Sequence, residues 1–215
     1  MDRKQHWEQI YATKAPDTVS WFQTHAALSL RLIHHTGLSR DAAIIDVGGG
    51  ASTLVDDLVA ESYTDVTVLD LSATAIAVAK QRLGKHAETV DWIVGDITLA
   101  AFPVHRFDIW HDRAVFHFLT DPNDRHAYVE RVKRAVRPGR PVIVATFAED
   151  GPEKCSGLPV VRYQPASLHA EFGDAFLLVD HKKEVHHTPT GSSQQFVYCY
   201  CRKSKQLTAR NAMAG

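Results

Sequence analysis

Residues 42–50, Ala-Ala-Ile-Ile-Asp-Val-Gly-Gly-Gly, constrain this chain more than any other stretch. A short apolar run ends in Asp46, three glycines follow, and Ala51-Ser52-Thr53-Leu54-Val55 opens a helix-forming segment. That order of residues suits a buried parallel strand that turns sharply into a helix and brings backbone close to a ligand. A dinucleotide fingerprint requires a third glycine at position 53, where Thr53 stands. Asp46 argues in the same direction. A carboxylate two residues before Gly48 repels a pyrophosphate and suits a ligand with a cationic amino group.

Downstream, strand and helix patterns alternate. Strands are expected at 42–47, 66–71, 90–95, 107–111 and 141–147, with helices at about 52–62, 73–86 and 123–136. Arg137-Pro138-Gly139 stops the last of these helices. Such alternation predicts a parallel sheet with helices on both faces. After a loop at 149–157, residues 165–172 read as one more helix. Two long strand-like runs, 175–187 and 194–202, then form a hairpin across Thr188–Ser193. The expected fold is α/β: a Rossmann-like, doubly wound, seven-stranded sheet, mostly parallel, closed by a C-terminal antiparallel hairpin.

Ahead of the sheet, residues 5–35 look helical, with a break at Pro16-Asp17 and a second helix from Ala26 to His35 that closes at Gly37. Trp7, Tyr11, Trp21 and Phe22 are candidates for an aromatic lid that excludes water and stacks on a cationic ligand. Simple packing on the sheet is the alternative for these rings. Residues 1–40 are thus expected to be a helical lid belonging to the same domain as 41–203, and 204–215 a disordered tail.

Composition narrows the function. Hydrophobic content of 45% and charged content of 23% are those of a soluble globular protein. A net charge of -1 gives no basic footprint for nucleic acid. The longest apolar runs, such as Val142–Ala148, are too short to cross a bilayer, and the first residues lack the apolar core of a signal peptide. Cys155, Cys199 and Cys201 cannot all pair with one another, so a reduced, cytoplasmic setting is expected. The 13 histidines include His34-His35 and His186-His187, but no spaced Cys/His set accompanies Cys199-Tyr200-Cys201, and no metal is expected.

The loop Asp46-Val47-Gly48-Gly49-Gly50 and a parallel half closed by a hairpin resemble the class I S-adenosylmethionine (SAM)-dependent methyltransferases from about residue 40 to 202. The resemblance implies SAM as cofactor and S-adenosylhomocysteine as product. It also implies roles. Asp46 meets the amino acid end of the cofactor, and Gly48, Gly49 and Gly50 let backbone approach it. Asp70 and Leu71, ending strand two, meet the ribose, where a carboxylate with two acceptor oxygens suits two vicinal hydroxyls. Asp96 and Ile97, in Gly95-Asp96-Ile97, take the adenine amino group and cover the ring. In this superfamily the end of strand four borders the transferring methyl group. That makes His111, Asp112, Arg113 and His117 the catalytic candidates, with His111 also a candidate for the cofactor pocket. Histidine is the natural base at neutral pH. Each also has a structural alternative: Asp112 and Arg113 as a pair, His117 as a satisfied histidine on an apolar face.

Trp7-Glu8-x-x-Tyr11 followed by Ser20-Trp21-Phe22-Gln23 is similar to the opening of the branch that includes citrate synthase and elongation-factor lysine methyltransferases. Those enzymes carry Asp-Lys-Gly-Thr after strand four, where this chain has Asp112-Arg113-Ala114-Val115 and retains only the acid. The expected acceptor is therefore a small molecule, with protein lysine as the alternative. An NAD-dependent oxidoreductase and a non-catalytic SAM-binding module stand behind these.

Overall fold

The computed structural model describes residues 2–205, and from residue 206 onward the expected tail lies outside them. Strands β1 (Ile44–Val47), β2 (Val66–Asp70), β3 (Val90–Val94), β4 (Ile109–Arg113) and β5 (Pro141–Phe147) pair in parallel. A small hairpin of β6 (Lys154–Cys155) and β7 (Leu158–Pro159) occupies the end of the stretch expected to be a loop. The long antiparallel hairpin β8 (Phe176–His187) and β9 (Ser193–Lys203) completes a seven-stranded sheet in the order β3-β2-β1-β4-β5-β9-β8. Six α-helices accompany it among the described residues: α1 (Arg3–Thr13), α2 (Ala27–His35), α3 (Leu54–Ala60), α4 (Ala73–Leu83), α5 (Pro122–Ala135) and α6 (Pro165–Phe172). No helix among the described residues is long and apolar enough to cross a membrane.

The two-residue period of a strand sends neighbouring side chains to opposite faces, and here both faces are apolar. Ile45, Val47, Val142 and Val144 share a core with Tyr128 of α5 and Phe172 of α6. Ile44, Ile143 and Ala145 pack instead with Leu32 of α2 and Leu54 of α3. Strand order reverses between β1 and β4, so a crevice opens beyond their carboxyl ends.

β4 lies later in the sequence than the expected 107–111. Phe107 makes only an isolated bridge to Val136. Asp108 turns its carboxyl to Ala43 N at 3.1 Å and pairs with Arg137 and Arg140. Pairing with β5 runs from Trp110 to Arg113, so the polar triple His111-Asp112-Arg113 sits inside the sheet and not in a loop. Asp112 is fully buried. Its oxygens accept from Val115 N at 2.9 Å, Phe116 N at 3.1 Å and the Tyr128 hydroxyl at 2.7 Å, and that hydroxyl accepts from Trp110 Nε1 at 2.9 Å. Burial pushes the Asp112 carboxyl up to about 7 in spite of these bonds. They hold a short 3-10 turn, Phe116–Phe118, that buries His117 completely. Phe147 N donates to His117 Nδ1 at 3.2 Å, while burial and then the Arg113 charge push the imidazole down to about 3.

A base held neutral in this way gives stability that is complete above the ordinary value of 6.5 and is lost as pH falls from there toward 3. His117→Asn keeps an acceptor for Phe147 N without a titrating ring. In urea unfolding the variant should gain on the wild type by about 1.4 kcal/mol per pH unit below pH ~6. A difference that stays constant from neutral pH down to about pH 4 would mean that His117 is not held neutral.

Candidate active site

β1 turns toward α3 at Gly48, whose φ of 72° is a left-handed conformation that glycine adopts without steric cost. The chain then passes so close to β2 that Gly50 N donates to Asp70 Oδ2 at 3.0 Å, and a Cβ on Gly50 would come within 2.5 Å of that oxygen. Asp70 Oδ1 accepts from Ser72 N at 2.8 Å, and burial raises the carboxyl to about 6. Each oxygen keeps a lone pair for one more donor. One strand further along, Asp96 Oδ1 accepts from Thr98 N at 2.8 Å and Thr98 Oγ1 at 2.7 Å, while Oδ2 lies 3.8 Å from Arg3 Nη2.

These turns frame a cleft that encloses about 780 Å³ when its solvent-open mouth is included. Gly48, Asp70, Leu71, Asp96 and Ile97 line it from the strand ends. Trp7 and Tyr11 of α1, Trp21, Arg113 and Phe118 line it from the other side. The rings meet edge to face, Trp7 with Trp21 at 5.6 Å, Trp7 with Phe118 at 5.1 Å and Tyr11 with Trp21 at 6.1 Å. Charge fastens α1 over the cleft. Glu8 accepts from Ser72 Oγ at 2.9 Å, Ala73 N at 2.7 Å and Thr74 N at 3.1 Å, all at the start of α4. Partial burial opposes the Glu8 charge, but these partners outweigh it and hold the carboxyl below the usual carboxylate range. Arg3 pairs with Asp124 at 2.9 Å.

A second hollow, of about 510 Å³, adjoins the glycine turn and shares Gly48, Trp21 and Arg113 with the cleft. Asp46, Gly49, His111 and Phe22 line this hollow and not the cleft. His111 Nδ1 lies 2.7 Å from Asp46 Oδ1, and His111 Nε2 lies 2.8 Å from Ser29 Oγ of α2. Arg113 donates from Nε to the Tyr198 hydroxyl at 3.0 Å, pairs with Glu184 at 3.3 Å and stacks over Phe196 at 4.2 Å. Gly50, Asp112 and His117 line neither space.

Arg3, Glu8, Phe118 and Cys155 are site residues that the sequence reading missed. Arg3, Trp7 and Tyr11 stand at helical spacing on one face of α1, so a signal for Arg3 was present. Cys155 comes from the β6–β7 hairpin and carries no such signal. Burial pushes its thiol up to about 11, and burial with the Asp70 charge raises the Tyr11 phenol well above its ordinary value. Both are protonated at neutral pH. No histidine lines the cleft, and among the described residues no three His, Cys, Asp or Glu side chains converge as metal ligands.

A family profile described as a methyltransferase domain matches residues 44–139. No curated relative shows significant similarity to the sequence. Among solved structures, the one reported in "Conversion of a Disulfide Bond into a Thioacetal Group during Echinomycin Biosynthesis" superposes with a TM-score of 0.77 at 18% identity, over 96% of this chain and 95% of its own. The 1,6-didemethyltoxoflavin-N1-methyltransferase of Burkholderia thailandensis, with bound 1,6-didemethyltoxoflavin and S-adenosylhomocysteine, gives 0.67 at 20% identity, over 94% and 84%. The [4+2]-cyclase SpnF gives 0.69 at 13% identity, over 94% and 93%. At these identities the likeness shows the fold. A methyltransferase domain profile thus matches residues 44–139, and the strand order around it is a fold that this chain shares with structures of SAM-dependent methyltransferases, one of which holds S-adenosylhomocysteine.

Proposed function

We propose that this chain transfers the methyl group of SAM to a small-molecule acceptor held in the cleft under α1. One observation carries this: the strand-end acids Asp70 and Asp96 share a single cleft with the aromatic residues Trp7, Tyr11 and Trp21. The residues present fit the cofactor. Asp70 has acceptor capacity on both oxygens at the rim of the cleft, as two vicinal ribose hydroxyls require. Asp96 Oδ2 is left over by Thr98 and is available to the adenine amino group, with Ile97 beside it against the ring. Asp46, with the backbone of Gly48 and Gly49, takes the amino acid end. When bound, the cofactor supplies an electrophilic methyl group on a sulfonium.

The chain's own part is then positioning and exclusion of water. Trp7, Tyr11, Trp21 and Phe118 shut the cleft from solvent, and Val115 and Arg113 border the place where acceptor and methyl group meet. Asp112 and His117 act behind that surface as supports for the 116–118 turn. With Tyr11 and Cys155 protonated and no histidine at the cleft, the acceptor atom arrives with its lone pair already free. A roof pinned at Glu8 and Arg3 favours a small acceptor over a polypeptide segment. The Burkholderia thailandensis neighbour, which holds 1,6-didemethyltoxoflavin, supports the small-molecule reading, and the cyclase neighbour makes methyl transfer itself the step to measure.

Purified protein incubated with methyl-labelled SAM and a metabolite extract should place label in the small-molecule fraction. Label confined to polypeptide would establish the lysine alternative, and no label in either pool would leave a binding module. Asp70→Ala should weaken binding of S-adenosylhomocysteine by roughly 1.5–3 kcal/mol, the scale of a charge-assisted hydrogen bond. Unchanged affinity by calorimetry would remove Asp70 from the site. Glu8→Ala should free the roof, so that amides of residues 3–13 exchange with deuterium about tenfold faster while those of β4 do not change. Equal protection in both proteins would show that Glu8 is not the fastening.

A further inference from the structure

We infer that His111 and Ser29 are positioning residues that hold the Asp46 carboxyl in one orientation, with Oδ1 occupied and Oδ2 reserved for the ammonium group of the cofactor's amino acid end. This rests on the cofactor placement proposed above and adds to it the device that aims the acid. Asp46 on β1 and His111 on β4 are direct neighbours in the parallel register, so their side chains leave the sheet on the same face. α2 packs over that face and brings Ser29 to the ring. All three are buried, at 2% exposure for Asp46, 2% for His111 and 0% for Ser29. Nδ1–H donates to Asp46 Oδ1 at 2.7 Å, and Nε2 meets the Ser29 hydroxyl at 2.8 Å, so both ring nitrogens are engaged and the ring plane is fixed. Asp46 Oδ2 is buried and has no hydrogen-bond partner among the described residues, although Asp46 borders the hollow beside Gly48 and Gly49. A buried carboxyl oxygen without a donor is costly, and a cationic nitrogen in the hollow supplies that donor. The arrangement also ties α2 to ligand binding, since a shift of Ser29 would release the ring and let the carboxyl turn.

The test compares two ligands that share the adenosyl sulfur. S-adenosylhomocysteine carries the amino acid end, and 5'-methylthioadenosine lacks it. By calorimetry, His111→Phe should raise the Kd of S-adenosylhomocysteine at least about tenfold while the Kd of 5'-methylthioadenosine changes less than about twofold. The milder Ser29→Ala should weaken S-adenosylhomocysteine alone by about threefold, and it carries the test if His111→Phe does not fold. Proportional losses for both ligands would reduce the dyad to a structural prop, and unchanged affinities would remove it from the site; either result overturns the inference. Failure of the wild-type protein to bind either ligand would instead strike the cofactor placement itself, and the inference with it.

Discussion

Asp70 is held between two backbone amides, Gly50 N on Oδ2 and Ser72 N on Oδ1, and the geometry of the site follows from that clamp. It joins the turn after β1 to the turn after β2. It works only because position 50 has no side chain, since a Cβ there would overlap the carboxylate oxygen and Ala75. Burial disfavours the charge, as the rise to about 6 shows, and the two amides recover part of that cost. Ser72 continues the connection: its hydroxyl accepts from Ala75 N at the start of α4 and donates to Glu8 of α1. One carboxylate therefore sets the spacing of two strand ends, and its neighbour caps a helix and anchors the roof.

The sheet and the roof are stabilised by different physics. Residues of β1, β2 and β5 are buried throughout and belong to two large apolar cores, so the acids at their ends are carried on a rigid platform. α1 has no buried residue at all. It is kept in place by half-buried rings and by the contacts of Glu8 and Arg3, a combination that places it among the segments that open most easily. A closed cleft needs such an element, because its ligands must enter before water can be excluded.

The strand-end acids were legible in the sequence because each stands where an apolar run stops, and a parallel sheet puts all such stops on one edge. Asp70 and Asp96 reach the cleft for that reason, as does the glycine turn at Gly48. The terminal hairpin was legible from the length of its two runs, and β8 and β9 lie close to the expected limits. The buried contacts of His111-Asp112-Arg113 were not legible, because three polar residues in succession read as the end of a strand. Their partners come from far along the chain: Ser29 and Asp46 for His111, Tyr128 for Asp112, Tyr198 and Glu184 for Arg113. Nothing local to the sequence marks such pairings. Phe22 was grouped with the lid rings by adjacency to Trp21, yet it lines the second hollow and not the cleft, because neighbouring residues in an irregular segment need not share a direction.

The buried polar groups of β4 differ in their accounts. Asp112 is satisfied by two backbone amides and a tyrosine hydroxyl, and its raised value near 7 marks a carboxyl whose charged form burial disfavours at physiological pH. Stability from such a group is greatest when it is protonated and declines as pH rises through about 7. His117 has the opposite sign, since its neutral form is the one the interior prefers. Asp112 precedes the turn that holds His117, so acid weakens one support while rising pH weakens the other. The Asp112 loss runs from pH 3.8 to about 7 and the His117 gain from about 3 to 6.5, so the two offset over most of that range, and the turn beside Val115 and Phe118 of the cleft is left with little net pH dependence. Charge deep in the sheet thus shapes the wall without touching what binds there.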